Sequence, residues 1–179
     1  MTAGTGDFEL TMDELRVVAR FVVEAAEEVL PVFEADHPDD PRPRAAIDAA
    51  WEFVNGAKRT NLQSVTASDA HRSAQEAATE SGRLAARTAG DAAAAAYLHP
   101  IAKATQVSHI LRGPASAARI AELVAADNPE AGDNFVERAK NHATPALIDV
   151  LSRYPNAPAG KSRLDHLMSK LDSQLRESR

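Results

Sequence analysis

The sequence predicts an all-α fold, a single irregular multi-helix bundle or short α-superhelix of about seven to eight helices. Three observations predict it. Hydrophobic residues make up 44% of the 179-residue chain, close to half of them alanine, and aromatics only 4%. Apolar positions recur at three- and four-residue spacing through most of the length. Tight breakers (Asn-Gly, Gly-Pro, Asn-Pro) then divide these stretches. Alanine loses no side-chain entropy in a helix and lets helix axes approach closely. A chain this poor in β-branched and aromatic residues has little from which to build a sheet.

Residues 1–10 read as a frayed tail. Thr11 and Glu14 form a Thr-x-x-Glu capping box that opens a first helix over about 12–35. Its stripe is Leu15, Val18, Val22, Ala26, Val29 and Phe33, widened by Val17 and Phe21. Pro31 lacks an N–H inside this pattern and predicts a kink or break near Val29. The proline-rich 36–44 segment reads as an ordered connector, and Pro43 suits the first turn of a second helix running to Val54 and ended by Asn55-Gly56.

Thr66 or Ser68 is the expected cap of a third helix over about 67–87, bent near Ser81-Gly82. Gly90-Asp91 reads as a stop and restart, Pro100 as a kink, and Gly113-Pro114 as a break. Further helices are expected at 115–126, about 133–142 and about 145–153. Residues 154–161 form the clearest loop, and Ser162 caps a last helix bearing Leu164, Leu167, Met168, Leu171 and Leu175. The length suits one domain, 1–179.

There is no cysteine, which excludes disulfides, thiolate metal sites and cysteine nucleophiles. No apolar run approaches the roughly 20 residues of a membrane span, and the N-terminus carries no secretory pattern. A cytoplasmic location is the expectation.

The motifs that suggest chemistry are fragmentary. Gly160-Lys161-Ser162 resembles the end of a phosphate loop, but Pro155 stands where the first glycine belongs, and no strand precedes it. The histidines, at 37, 71, 99, 109, 142 and 166, show no three- or four-residue spacing of the kind helical metal sites use. His71, His99 and His109 would have to meet in space, and His71 with Glu76 is one pair that could. Ser108-His109 are neighbours pointing about 100° apart and form no preassembled nucleophile–base pair. No catalytic residue, metal ligand or cofactor site is therefore assigned.

Charge is more informative. The net charge is −6, but it is unevenly spread. Up to Pro41 the acids are Asp7, Glu9, Asp13, Glu14, Glu24, Glu27, Glu28, Glu34, Asp36, Asp39 and Asp40, against only Arg16 and Arg20. The rest of the chain is mildly basic. Such an end disfavours nucleic acid and favours a basic protein. The candidate partner-binding residues are Glu24, Glu27, Glu28, Asp36, Asp39 and Asp40, with Arg42 and Arg44 at a rigid Arg-Pro-Arg corner. The competing explanation for each is a solvated helix face or a local ion pair.

Two stretches carry a family resemblance. One is Leu30-Pro31-Val32-Phe33-Glu34 followed by Asp40-Pro41-Arg42-Pro43-Arg44-Ala45-Ala46-Ile47-Asp48-Ala49-Ala50-Trp51. The other is the alanine-rich pair around Ala89-Gly90-Asp91 to Tyr97 and Ala115 to Glu122. Over roughly residues 12–126 the chain resembles a bacterial family of immunity proteins similar to the fifth class of polymorphic-toxin immunity proteins; the segment after Asn128 lies outside it. The resemblance implies an all-α protein that binds and neutralises a toxin without catalysis. Two other classes stay open from the residues alone. One is a helical metal- or small-molecule-binding enzyme using His71, His99 and His109. The other is an accessory protein of nucleic-acid metabolism using Lys161, Arg163, Lys170, Arg176 and Arg179.

Overall fold

A computed structural model describes residues 6–179. Among them it contains eight α-helices, one 3-10 turn and no strand. The helices are α1 (Met12–Asp36), α2 (Arg42–Val54), α3 (Asn61–Glu76), α4 (Glu80–Ala94), α5 (Ala104–Val124), α6 (Pro129–His142), α7 (Pro145–Ser152) and α8 (Arg163–Glu177); the 3-10 turn Ala95–Tyr97 follows α4. The expected all-α bundle is the observed fold.

The middle of the bundle is α4, which packs against α1, α2, α3 and α5. Its buried positions run nearly all round it: Leu84, five alanines, Thr88, Gly82, Gly90 and Asp91. A helix enclosed on all sides needs small side chains, because every extra methylene pushes a neighbour outward. The bulk comes from the flanking helices, with Leu30, Phe33, Ile47, Phe53, Ile110 and Leu111 fully buried. The predicted stripe of α1 is buried at every position from Leu15 to Phe33. Beyond α5, α6 and α8 pack on it and on each other, and α7 bridges α1 and α8.

Several expected breaks are not breaks. The helix α1 runs through Pro31 to Asp36. A proline inside a helix costs about 3 kcal/mol. Pro31 itself is exposed, while Leu30 and Phe33 beside it are wholly buried, and burying two such side chains contributes about 3–6 kcal/mol. Gly113-Pro114 lies inside α5, with both residues buried. A Cβ at position 113 would stand 2.8 Å from Val22 Cγ1, so this glycine marks where α5 crosses α1. Gly90-Asp91 lies inside α4, where the missing Cβ leaves room for the His71 ring.

The true interruption falls earlier, at 77–79, where Thr79 caps α4 through the Gly82 N–H at 3.0 Å. The third helix also starts earlier than expected. Thr60 and Gln63 form a reciprocal capping box ahead of it. Near Pro100 the chain leaves helical geometry altogether and re-enters it at Ala104. The sixth helix starts at Pro129, capped by Asn128, rather than near 133.

Residues 1–5 of the expected frayed tail lie outside the described residues. Residues 6–10 line the connector before α5: the Asp7 N–H donates to Pro100 O at 2.9 Å, and its carboxylate accepts the Ala102 N–H at 2.8 Å. Phe8 meets Tyr154 edge to face, and the Tyr154 hydroxyl donates to His99 O. No helix among the described residues is long and apolar enough to cross a membrane.

Candidate functional site

The eight predicted contact residues separate into two places. Asp36, Asp39, Asp40, Arg42 and Arg44 sit at the corner between α1 and α2. There Asp40 accepts the Arg42 Nε–H at 2.9 Å, its terminal N–H at 2.7 Å, its backbone N–H at 3.1 Å and the Ser73 hydroxyl at 2.7 Å. The Arg42 hydrogen bonds hold the Asp40 carboxyl well below the usual range, against the opposing effect of burial. Arg42 also reaches Glu76 at the end of α3. Arg44 grips Glu34 with two parallel bonds of 3.0 Å, and Asp36 accepts the Thr79 hydroxyl. The corner thus clasps α1, α2 and α3 together with its own charges. Asp39 alone stands exposed there with no side-chain partner among the described residues.

The second place is the solvent side of α1. Glu24, Glu27 and Glu28 are all exposed. Glu27 accepts the Trp51 indole N–H at 3.1 Å. Glu24 lies 3.7 Å from Arg20, a loose surface pair. Glu28 pairs at 2.7 Å with Arg138 of α6. Both α1 and α6 pack on α5 but barely meet each other. Between them lies an open groove of about 420 Å³, floored by Phe21, Ala25, Pro114 and Phe135. Glu24 and Glu28 line its α1 side; Arg138, Ala139 and His142 line its α6 side.

A third cluster was not foreseen as a unit. The Asp91 carboxylate is buried in α4, yet it accepts two bonds from Arg112 of α5, at 2.9 and 2.5 Å, and lies 3.2 Å from His71 Nε2 of α3. Burial pushes this carboxyl up, but the His71 and Arg112 contacts outweigh it and leave the pKa lowered. His109, one turn before Arg112, is pushed down by partial burial and by the Arg112 charge. The sequence signal was available: an acid in the middle of an alanine run has to find a cation. The expected alternative for His71, a meeting with Glu76, does not occur, since Glu76 is held by Arg42. Among the described residues no group of three His, Cys, Asp or Glu is arranged to hold a metal.

The remaining motifs resolve as structural parts. Ser162 caps α8 in a reciprocal box with Asp165, so Gly160-Lys161-Ser162 ends a loop in a helix cap. Of the C-terminal bases, Arg163 pairs with Glu122, Lys170 with Asp133 and Arg176 with Asp172.

Fold and site together define an all-helical scaffold whose buried carboxylates are paired and which presents a row of exposed carboxylates on one long helix. Over residues 9–105, more than half of its length, the chain matches the family described as Imm-5 like putative immunity protein, and it belongs to that family. The match ends as α5 begins, so the Ala115 to Glu122 stretch of the resemblance lies beyond it. No curated protein and no solved structure matches the chain.

Proposed function

We propose that this protein is an immunity protein that neutralises a toxin by direct contact, without catalysis, and that the outer side of α1 faces a basic partner. Family membership supports the immunity role. The observation that carries the contact is the set of exposed carboxylates, Glu24, Glu27 and Glu28, on a helix whose inner side is locked into the core. Charges on a rigid helix keep their spacing, so they steer an oppositely charged partner without ordering cost at the moment of contact. The clasp at Asp40, Arg42 and Arg44 serves this reading by fixing the end of α1, and leaves Asp39 as the corner's free charge.

The test is association with the products of the reading frames that neighbour this protein's own, a basic toxin being the expected binder, followed by stopped-flow mixing at several salt concentrations. Reversing Glu24, Glu27 and Glu28 to lysine should slow association by at least about tenfold at low salt, and the difference should shrink as salt screens it. Association that ignores both salt and charge reversal would remove α1 from the interface.

A further inference from the structure

We infer that the groove between α1 and α6 seats one apolar side chain of the partner, with an adjacent lysine or arginine replacing Arg138 at Glu28. The inference rests on the binding reading above and names its point of contact. The first argument is space. Because α1 and α6 lean on α5 without closing on each other, an opening of about 420 Å³ remains with a floor of Phe21, Pro114 and Phe135. That lies within the range of sites that enclose a small organic group.

The second argument is the internal stand-in. The Arg138 guanidinium lies over the Phe135 ring, 5.1 Å from its centre, and pairs with Glu28 at 2.7 Å. A guanidinium therefore already occupies this spot, stacked on the aromatic floor and facing a carboxylate. Both members of the pair are about half exposed, at 55% and 54%, so the pair is weak and open to exchange. A partner's cation entering from solvent meets the same ring and the same carboxylate. The third argument is charge. Glu24, on the same wall one turn earlier, has only a loose pair with Arg20. Displacing Arg138 leaves two carboxylates for an incoming cation, and an acidic segment would be repelled from this wall. The α6 wall carries Arg138 and His142, so the partner's cation belongs on the α1 side.

The experiment uses the full chain, ¹⁵N-labelled, titrated with three blocked dipeptides: acetyl-Leu-Arg-amide, acetyl-Leu-Glu-amide and acetyl-Gly-Arg-amide. The Leu-Arg probe should shift amides around Ala25 and Ala139 saturably. The other two should bind at least fivefold more weakly. Arg138→Ala should tighten the Leu-Arg probe about threefold by freeing Glu28, and Glu28→Gln should loosen it. Ala139→Trp, which fills the half-open groove from its rim, should abolish binding. No shift with Leu-Arg, equal shifts with Leu-Glu, or weaker binding by Arg138→Ala would each overturn the groove. The two claims fail separately. A toxin slowed by charge reversal on α1 but indifferent to Ala139→Trp removes the groove and keeps the immunity reading. A toxin that does not bind at all removes that reading, and the dipeptides still decide the groove.

Discussion

Three carboxylates are buried among the described residues, Asp91, Glu122 and Asp172, and the first two are neutralised by different means. Asp91, 3% exposed, sits in the last turn of α4 within the family-matched region and faces Arg112 and His71. Glu122, 1% exposed, closes α5 beyond that region and faces two arginines. Arg163 of α8 reaches Glu122 with bonds of 3.0, 3.2 and 2.6 Å, and Arg119 adds one of 2.8 Å. Burial pushes the Glu122 carboxyl up, and the two guanidinium groups bring it below the ordinary value. Around it the surroundings are fitted tightly. A Cβ on Gly132 of α6 would collide with the Glu122 carboxylate, and Ala126 and Asp127 turn the chain with φ of 57° and 61°. Two successive non-glycine residues in the left-handed region persist only where surrounding contacts over-determine them. The difference teaches that the C-terminal helices are fastened by a site with permanent cations. The alanine-rich centre is fastened by one that includes an imidazole and lies beside a second, His109.

The largest effect expected to sharpen this contrast is Glu122→Gln. It leaves Arg119 and Arg163 without their shared anion and should cost about 3–5 kcal/mol, read as a shift of the urea midpoint at unchanged slope. Next comes Asp91→Asn, at about 2–3 kcal/mol, because it releases one guanidinium and one imidazole where Glu122 gathers two guanidinium groups. A larger loss at Asp91 than at Glu122 would break the comparison.

Below these stand the two glycines. Gly132→Ala should cost roughly 2 kcal/mol, since the Glu122 carboxylate it strikes is pinned. Gly90→Ala should cost less, about 1 kcal/mol, because the His71 ring it strikes can turn toward solvent. Equal losses in thermal melts would show that the His71 ring is as fixed as Glu122.

The smallest effect is a pH dependence. The His109 pKa is lowered on folding, so the unfolded chain binds the proton more readily. Its contribution is complete above about 6.5 and declines as pH falls below that value. Asp91 is also lowered, and its contribution fades only as pH falls below about 3.8. Between pH 8 and 5, stability should therefore decline as the pH falls, and His109→Gln should flatten that slope. A slope unchanged in that variant would assign the proton elsewhere.

Reading forward from the residues succeeded where the information is local. The Thr11 box, the Ser162 cap, Pro43 in the first turn of α2 and the loop before α8 all depend on neighbours within four residues. It went astray at Pro31, Gly90-Asp91 and Gly113-Pro114, where local chemistry says stop and the helix continues. In each case a helix distant in sequence decides. Val22 occupies the space that Gly113 leaves, His71 the space beside Gly90, and the core holds Leu30 and Phe33 on either side of Pro31. The same holds for the charges. That an acid inside an alanine run needs a cation was legible; that the cation is Arg112, with His71 beside it, was not.

The sequence by itself thus determined an alanine-built helical protein with its excess of acid over base at one end, because helix propensity, apolar spacing and net charge are sums over neighbouring residues. Only the tertiary structure decided which breakers are buried contacts, which charges fasten helices and which remain exposed, and where α1 and α6 stay apart. Those outcomes depend on what a side chain meets across the bundle, 20 to more than 100 positions away, as with His71 and Asp91 or Glu28 and Arg138.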